Sequence, residues 1–497
     1  MSMIIDKVFY YELTRNLKPI NTGCSLHVYS EVYKVKNDKV SLFWAIGSQS
    51  ELPDEIEVET WVEPVLDRTM SNELPDIIGT KVLIKGWISQ CRELKKMAFL
   101  IIRDRTGYTQ VIVPKDIYVP LLVESVVEIT GIVNEAGKSK DFTVEVFAEK
   151  ITIISSAEAL PFPINREEDL PPFNTLNNFR PLTLRKEKER CIFKIQSEII
   201  WAYREYLKKQ GFTEINSTKI SAAGLEGGSD MFTVDYFGQP MYLTQSPQFY
   251  KQMMVGVYER VFEVGKVYRA EGSNTNKHLA EFIGFDFEMG FINSVEEVME
   301  MEENTLNYIF KHIIEKCSKE LTYLNVDLPS NGILKALPFI PRLTYNETAS
   351  ILEKEFNYKL PNIGLTTEAE KLICEWVKVN KGSDFVFITK YPLSERPFYA
   401  MPSEDGISSE TFELLYKGME ITSGGQRIHN YNQLVEAIKT KGLNPDNFES
   451  YLMPFKYGMP PHGGMGLGVE RLLKQILNLQ VADEASLIPR TKDKFIH

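Results

Sequence analysis

The spacing of apolar residues changes along this chain, and the change predicts two kinds of structure. Between about residues 79 and 156, apolar and polar positions alternate in the runs KVLIKGWIS, MAFLIIRD, YTQVIV, SVVEITGIV and FTVEVFAEKITII. Such alternation is typical of half-buried β-strands. Five short strands in roughly 80 residues predict a small closed barrel, and the oligonucleotide-binding barrel is one of this kind. The earlier run SLHVYSEVYKVKNDKVSLFWAI predicts two or three short strands with a turn at 36–38.

After a proline-rich stretch, the apolar spacing becomes that of amphipathic helices. Helices are expected at 185–210, ended by Gly211, at 296–321 and at 368–379. The strands between them do not follow a strand–helix–strand order, so we expect an α+β fold with an antiparallel sheet and packed helices. The expected boundaries are a β-rich N-terminal extension without an assigned role at 1–75, the barrel at 76–157, a hinge at 158–182 and a larger domain at 183–497.

Composition narrows the class of protein. The chain has 497 residues and a formal net charge of −12. It contains no apolar run of the roughly 20 residues that a membrane span needs. Its start carries charges where a signal peptide would be apolar, so we expect a cytoplasmic protein without a membrane contact. Five scattered cysteines and six unclustered histidines give no reason to expect a disulfide framework or a zinc site.

Charge is unevenly distributed along the chain. Between Lys81 and Asp116 there are eight basic residues and three acidic ones. Phosphate binding depends on such local patches more than on net charge. The barrel is therefore a candidate nucleic-acid surface, and a solvated basic face is the alternative.

Charged and aromatic residues recur along the two strands of the expected hairpin VFEVGKVYRAEGSNTNKHLAEFIGFDFEMGF. Residues two apart share one face of a strand, so Arg269 and Glu271 point the same way. On the returning strand, Phe282, Asp286 and Glu288 likewise share a face. Burying so many charges unpaired would be costly, which favours a functional site. A surface ladder of ion pairs is the alternative.

Two further segments combine glycines with charge. GMPPHGGMGLGVERLLKQIL places clustered glycines before a helix whose first turn holds Glu470 and Arg471. Such glycines let a flat ligand lie against the backbone, and a fixed arginine can bind phosphate with two hydrogen bonds. A packing turn is the alternative. MEITSGGQRIH offers Glu420 and Ser423 as oxygen ligands for Mg²⁺, and Arg427 as a partner for the carboxylate of a small acid.

A third segment, YLTQSPQFYKQM, predicts the start of a helix. Ser246 is expected as its cap and Pro247 as its first residue. Gln248 and Lys251 are three positions apart and would therefore share one face of the first turns.

In this order, the segments resemble the catalytic domain of the class II aminoacyl-tRNA synthetases, over about residues 80–497. The specific matches are YLTQSPQFYKQM, RAE at 269–271, HLAEF at 278–282, SGGQR at 423–427 and GLGVER at 466–471. Together they are similar to the aspartyl-tRNA synthetases of the archaeal and eukaryotic type. That resemblance implies an antiparallel class II sheet with flanking helices, preceded by an oligonucleotide-binding barrel. It also implies a homodimeric, Mg²⁺-dependent ligase that forms aspartyl-adenylate from aspartate and ATP and transfers the aspartate to tRNA(Asp).

The resemblance implies roles for individual residues. Those expected to bind ATP are Arg269, Glu271, His278, Leu279, Phe282, Glu420, Gly468 and Arg471, and of these Arg269, Glu271 and Arg471 are expected to be catalytic. Those expected to hold aspartate are Glu226, Ser246, Gln248, Lys251, Asp286, Ser423 and Arg427. Those expected to hold Mg²⁺ are Glu420, Ser423 and Glu413. In the barrel, Arg92, Phe99 and Gln110 are expected to read the anticodon, with Phe99 stacking on its central base.

The sequence departs from the family's pattern at three positions. Thr218 stands where a proline at the dimer interface is usual, Glu413 where aspartate is usual, and Leu176 where arginine is usual. Several alternatives stay open. The enzyme could also charge tRNA(Asn), or the chain could be a paralogue that binds tRNA or regulates without catalysis. Ligation of an amino acid without tRNA is disfavoured by the barrel. For Phe99, the alternative is a place in the barrel core.

Overall fold

The computed structural model describes residues 66–137, 141–165, 170–222, 231–270, 278–326, 340–361 and 364–492, with three short strands before them. The chain divides into two compact units, residues 1–161 and 162–497, and their boundary falls within the expected hinge. The first unit begins with a three-stranded antiparallel sheet made of β1 (Val32–Lys36), β2 (Lys39–Leu42) and β3 (Val58–Thr60). β1 and β2 are two of the short strands expected here, and residues 37 and 38 of the expected turn lie outside the described residues.

The five strands expected between residues 79 and 156 are present, and they close into a barrel. They are β4 (Lys81–Glu93), β5 (Met97–Arg103), β6 (Tyr108–Pro114), β7 (Val126–Glu135) and β8 (Val144–Ser155), in the order β4-β5-β6-β8-β7. Neighbours are antiparallel except β6 and β8, which are parallel. Alternate residues such as Leu100, Val111 and Val127 are fully buried, so the barrel core explains the alternation. A 3-10 turn adds Leu74 to this core.

The second unit combines helices with an eight-stranded sheet. Its helices are α1 (Phe173–Asn178), α2 (Arg180–Thr183), α3 (Glu187–Lys209), α4 (Gln248–Tyr258), α5 (Val295–Lys316), α6 (Ser318–Tyr323), α7 (Tyr345–Phe356), α8 (Thr367–Lys381), α9 (Tyr431–Thr440), α10 (Glu449–Lys456) and α11 (Val469–Leu477). Its strands are β9 (Thr213–Glu214), β10 (Ile220–Ser221), β11 (Thr233–Tyr236), β12 (Gln239–Leu243), β13 (Arg260–Tyr268), β14 (Glu281–Gly290), β15 (Arg342–Thr344), β16 (Phe385–Thr389), β17 (Thr411–Tyr416), β18 (Met419–Arg427) and β19 (His462–Gly468). Within the described ranges, no helix is both long enough and apolar enough to cross a membrane.

The expected antiparallel sheet is found at the centre but not at the two edges. The strand order is β15-β16-β17-β18-β19-β14-β13-β9. The strands from β16 to β13 pair in antiparallel fashion. The edge strands β15 and β9 pair in parallel with β16 and β13. These edge strands have three and two residues, too few to leave an alternating pattern in the sequence. β10, β12 and β11 form a separate small sheet.

The prediction of a single helix at 296–321 is wrong, because two helices cover this range. α5 ends at Lys316 and α6 begins at Ser318. Between them, Cys317 has φ −118° and ψ 25°, outside the helical region, yet its side chain is buried. The apolar pattern therefore continues across the break and hides it. The other two expected helices are present as α3 and α8.

The glycine-rich segment forms a central strand, so the alternative of a packing turn is wrong. β19 pairs with β14 on one side and with β18 on the other. A Cβ atom on Gly464 would lie 2.1 Å from the Phe287 carbonyl oxygen, and one on Gly463 would lie 2.8 Å from the Gly425 carbonyl oxygen. Glycine thus lets three strands approach closely beneath the site.

The two faces of the large sheet have different neighbours. On the back, Tyr203 of α3 stacks on Phe285 of β14 with ring centroids 4.0 Å apart, and α5 packs into the same core. Because residues alternate along a strand, Phe282, Gly284 and Asp286 of β14 point to the opposite face. That face forms the floor of a cavity.

Glu302 of α5 is a buried carboxyl on the back of the sheet. It faces the Thr422 hydroxyl of β18, and neither of its oxygens has a hydrogen bond of normal geometry among the described residues. Burial, opposed by Thr422 and assisted by Glu303, raises the pKa of Glu302 to about 8. The folded protein therefore keeps this carboxyl protonated at neutral pH, whereas the unfolded chain ionises it near its ordinary pKa of 4.5.

We expect Glu302→Gln to stabilise the protein increasingly as pH rises from about 4.5 to about 8. Over that window the unfolded wild type loses its proton and the folded one does not, so wild-type stability falls. The gain near pH 8 should be on the order of 4 kcal/mol, measured by urea denaturation across pH. Glu300→Gln, at an exposed position of the same helix, is the control. Parallel pH profiles for wild type and Glu302→Gln would contradict this account.

Candidate functional site

A cavity of about 350 Å³ lies on the front face of the large sheet. Strand alternation and the first turns of α4 and α11 bring together residues that are more than 200 positions apart in the chain. The expected site residues that line it are Ser246, Gln248, Lys251, Arg269, His278, Leu279, Phe282, Asp286, Glu420, Ser423, Arg427, Gly468 and Arg471. Two others, Glu226 and Glu271, lie outside the described residues.

The start of α4 differs from the expectation in detail. The helix begins at Gln248 with Pro247 as its N-cap, and no side chain caps it. The predicted capping role of Ser246 is therefore wrong, because the turn starts one residue later and the Lys251 N–H donates to the Pro247 carbonyl oxygen at 2.9 Å. The predicted shared face is confirmed, since Gln248 and Lys251 both line the cavity.

Two buried cations form the end of the cavity beside α4. Lys251 is only 1% exposed, and its Nζ lies 2.8 Å from the Met465 carbonyl oxygen and 3.2 Å from Asp286 Oδ1. Arg427 donates from Nε to Glu288 at 3.0 Å and from Nη2 to the Gly464 carbonyl oxygen at 2.9 Å. A ligand carboxylate placed here would meet two oriented positive charges.

Glu288 lies beneath these cations and was assigned no role from the sequence. One oxygen accepts from Arg427, and the other lies 3.4 Å from Lys251 Nζ. Complete burial favours the neutral acid, but the charges of Arg427 and Lys251 outweigh it and leave the pKa of Glu288 below its ordinary value. Glu288 is therefore a charged internal partner for both cations.

An uncharged hydrogen-bonded chain supports the same end of the cavity, and the sequence did not reveal it. Burial lowers the pKa of His462 to about 4, so its ring is neutral at physiological pH. Its Nδ1–H donates to the Pro460 carbonyl oxygen at 2.8 Å, which leaves Nε2 to accept from Gln252 at 3.0 Å. Gln252 in turn accepts from the Tyr451 hydroxyl at 3.0 Å. The chain joins α4 to β19 and α10.

Two arginines lie at the other end of the cavity. Arg269 follows β13, and its guanidinium carbon lies 5.5 Å from the centre of the Phe282 ring. Its Nε atom is buried and has no hydrogen-bond partner among the described residues. Arg471 donates from Nη1 to the Glu420 carbonyl oxygen at 3.2 Å and lies 3.4 Å from the Glu420 carboxylate. These donors suit a polyanion such as a triphosphate.

Glu470 ties the helix that carries Arg471 to the strand that carries Phe282. Its carboxyl accepts from the Ile283 N–H at 2.9 and 3.1 Å, which links the first turn of α11 to the start of β14. Burial raises the pKa of Glu470 to about 7 despite this bond. Phe282 precedes Ile283 in the chain, and Arg471 follows Glu470. The bond between Ile283 and Glu470 therefore fixes the positions of Phe282 and Arg471 relative to each other.

The residues expected to hold Mg²⁺ are only partly gathered. Glu420 and Ser423 line the cavity, whereas Glu413, opposite Ser423 on β17, does not. The Glu413 carboxylate accepts from the Tyr391 hydroxyl at 2.6 Å and from Arg396 at 2.9 Å. Burial and the nearby charge of Glu420 raise the pKa of Glu413. Two mutually repelling carboxylates and a hydroxyl are a donor set that fits a hard cation.

On the barrel, the three expected nucleic-acid residues lie on the outer face. Phe99 is half-buried between Ala98 and Leu100, which point into the core, so its alternative role as a core residue is wrong. Arg92 is its cross-strand partner on β4. Gln110, on β6, donates from Nε2 to Glu145 at 2.6 Å. Glu145 was missed by sequence reasoning, and it orients the Gln110 amide.

The fold and the cavity define a class of protein. Residues 173–492 match the family of class II tRNA synthetases (D, K and N), and residues 82–154 match the OB-fold nucleic acid binding domain. The chain therefore belongs to the class II tRNA synthetases of this group.

Within that family, relatives whose names specify aspartate include the following two. The chain is 42% identical to the aspartate–tRNA(Asp/Asn) ligase of Thermus thermophilus, over 86% of this chain and 99% of the relative. It is 40% identical to the aspartate–tRNA(Asp) ligase of Pyrococcus abyssi, over 85% and 97%. Its structure is similar to that of the asparaginyl-tRNA synthetase of Pyrococcus horikoshii complexed with asparaginyl-adenylate, with a TM-score of 0.81, 30% identity and coverage of 87% and 100%.

We expect Glu288→Gln to destabilise the second unit (residues 162–497) by about 3 kcal/mol, because it leaves two buried cations with one carboxylate fewer. Urea denaturation followed by tryptophan fluorescence measures the loss. Glu281→Gln on the same strand is the matched control, since Glu281 forms a half-exposed pair with Lys266 at 3.5 Å. That pair is worth no more than about 1 kcal/mol. If both variants lose equally little stability, Glu288 is not the partner on which the cations depend.

Proposed function

We propose that this protein is an aspartate–tRNA ligase. It activates L-aspartate with ATP to aspartyl-adenylate and pyrophosphate, and it transfers the aspartate to the 3′ end of tRNA(Asp). The observation that carries the proposal is that two cations, Lys251 and Arg427, lie beside Asp286 and Glu288 of β14, while Arg269 lies against Phe282 of the same strand and Arg471 lines the same cavity. One end suits a side-chain carboxylate, and the other suits a triphosphate.

Aspartate fits the cation end better than asparagine does. Lys251 and Arg427 share the buried carboxylate of Glu288, and Lys251 also contacts Asp286. If Asp286 turns to the substrate, the side-chain carboxylate of aspartate replaces its negative charge beside the two cations, whereas a neutral amide does not. Asp286, 3.2 Å from Lys251, lies where it can pair with the α-ammonium group of the same substrate. Ser246, Gln248 and Ser423 complete this end of the cavity, and the family resemblance adds Glu226.

The first reaction needs no nucleophile from the protein. An oxygen of the aspartate α-carboxylate attacks the α-phosphorus of ATP, and pyrophosphate leaves. Arg269 has a buried N–H that no described residue accepts, and it can be offered to the α-phosphate; Arg471 can hold the leaving phosphates. Adenine would lie between Phe282 and Arg471, with His278, Leu279 and Gly468 around the nucleotide. Holding both substrates in line supplies most of the catalysis.

In the second reaction, the 3′-hydroxyl of the terminal adenosine of the tRNA attacks the carbonyl carbon of the adenylate, and AMP leaves.

Mg²⁺ would be held by Glu420 and Ser423, with Glu413 as a further ligand if its carboxylate exchanges Arg396 for the ion. When bound, the ion neutralises phosphate charge.

A second candidate is a ligase that charges both tRNA(Asp) and tRNA(Asn). It is favoured by the name of the Thermus thermophilus relative. The two tRNAs share the central anticodon base that Phe99 and Gln110 would contact, so these residues cannot separate them. Aminoacylation of purified tRNA(Asp) and tRNA(Asn) with labelled aspartate decides between the candidates.

We further infer that the protein is a homodimer. Trp201 on α3 is 60% exposed, which is in line with a protein interface, and sedimentation velocity tests the inference.

We expect aspartate-dependent ATP–pyrophosphate exchange in the presence of Mg²⁺, and a fall of at least about a hundredfold in Arg269→Ala and in Arg471→Ala. Each variant removes a cation from the charge that develops on the phosphates. Lys378→Ala, which removes an exposed cation of α8, is the control and should exchange normally. Undiminished exchange in either arginine variant would remove that residue from the mechanism. Exchange with asparagine but not with aspartate would overturn the amino-acid assignment.

We expect Phe99→Ala to lower kcat/KM for tRNA five- to a hundredfold, the equivalent of about 1–3 kcal/mol of base stacking. Pyrophosphate exchange should be unchanged, since the cavity lies in the other unit. Ile78→Ala, at an exposed apolar position of the same unit, is the control for a general loss of apolar surface. Equal losses of both activities with a lowered melting temperature would contradict the anticodon role.

A further inference from the structure

Phe147 is an aromatic side chain on the outside of the barrel for which the roles above give no reason. It lies in the first half of β8 and is 43% exposed, between the fully buried Val146 and the almost fully buried Ala148. Strand alternation therefore turns its ring outward. An exposed phenylalanine within a strand forgoes burial of a large apolar surface, so its place calls for a ligand or another explanation.

The strand register places Phe147 in one row with the expected anticodon residues. Arg92 of β4 pairs with Phe99 of β5, Phe99 pairs with Ile112 of β6, and Ile112 pairs in parallel with Phe147 of β8. Paired residues in neighbouring strands point to the same side, so the four side chains cross the outer face as a single row. Phe147 lies two strands from Phe99, or about 10 Å.

The surroundings of Phe147 suit a base better than a phosphate. The ring is flanked across the strands by Ile112 and by Ile132 of β7, which give it apolar support. Along β8, two carboxylates stand two residues to either side: Glu145 accepts from Gln110, and Glu149 pairs with Lys81 at 3.0 Å. Negative charge there repels a phosphate backbone, whereas Arg92 at the other end of the row attracts it.

We propose that Phe147 is a second stacking platform for single-stranded RNA, which receives an anticodon base next to the one on Phe99. The proposal rests on the proposed anticodon role of the barrel and extends it. Phe99 and Gln110 would recognise the central base by stacking and by hydrogen bonds. Phe147 would hold a flanking base by its ring face alone, which tolerates any base. The barrel thereby fixes the splayed loop at two points, and Arg92 holds the backbone at the end of the row.

The test uses the full-length protein and RNA hairpins that carry the anticodon loop, with binding measured by fluorescence anisotropy. Phe147→Ala and Phe147→Leu should each weaken binding five- to a hundredfold, because leucine restores apolar surface but no aromatic face. Phe147→Trp should bind as tightly as wild type. Ile154→Ala, an exposed apolar position on the same strand, is the matched control and should change nothing.

Hairpins with a single abasic nucleotide locate the contact. The loss caused by Phe147→Ala should disappear when the first or the third anticodon base is missing, and it should persist when the central base is missing. Phe99→Ala should show the reverse. A loss of equal size on every abasic hairpin, or normal binding by Phe147→Ala, overturns the proposal. So does a lowered melting temperature with normal binding, which would mean that Phe147 is covered by another part of the protein.

The same data separate this inference from the function it rests on. If Phe99→Ala weakens binding and Phe147→Ala does not, the anticodon role stands and the second platform is wrong. If neither variant affects binding, the anticodon role of this face fails as well. The Ile154→Ala control should match wild type in RNA binding and in pyrophosphate exchange, which shows that truncating an exposed apolar side chain on β8 does not by itself impair the protein.

Discussion

Glu288 lies beneath the cavity between Lys251 and Arg427, and the arrangement of the surrounding strands and helix depends on this one carboxylate. Its oxygens lie 3.0 Å from Arg427 Nε and 3.4 Å from Lys251 Nζ. Without these partners, a fully buried carboxyl would take up a proton. Without it, the two cations would repel each other in a poorly solvated place. Because the cations belong to α4 and β18, their ion pairs fix both elements to β14.

Such a cluster requires that the central strand of the sheet has no side chain at this point. A Cβ atom on Gly464 would lie 2.3 Å from the Glu288 carboxylate, so any side chain there would displace it. The carbonyl oxygens of Gly464 and Met465 accept from Arg427 and Lys251. The glycine-rich strand therefore supplies both space and acceptors, and it leaves the cations oriented before a ligand arrives. Preorganisation of this kind strengthens binding and catalysis alike.

The parts of the site that the sequence predicted are those set by local periodicity. Gln248 and Lys251 share a face because a helix turns once in 3.6 residues, and Phe282 and Asp286 share one because strands alternate. The barrel strands follow for the same reason. The ends of elements were less well predicted: Ser246 does not cap α4, because the helix begins one residue later than expected and Pro247 is its N-cap.

The parts that the sequence did not predict depend on partners far away in the chain. Gln252 and His462 are 210 residues apart, and Gln110 and Glu145 are 35 apart. No periodic pattern relates such positions. The glycine-rich segment was not recognised as a strand, because its lack of side chains is explained by β14 and β18 on either side and not by its own sequence neighbours. Glu413 looked like a metal ligand by position, but Arg396 and Tyr391, which occupy its oxygens, could only be found in three dimensions.

Those last contacts bear on how the cavity receives its substrates. In this structure each of the two acidic residues expected to hold Mg²⁺ is matched by an arginine: Glu420 lies 3.4 Å from Arg471, and Glu413 lies 2.9 Å from Arg396. An anion that draws Arg471 toward itself leaves the charge of Glu420 uncompensated, and a divalent cation can compensate it. A polyphosphate and its cation are therefore favoured together over either alone, because each corrects the charge imbalance that the other creates. A simple carboxylate beside Arg471 brings no such cation, so the ion pair between Arg471 and Glu420 opposes its binding there. The carboxylate is therefore expected to bind at Lys251 and Arg427 instead.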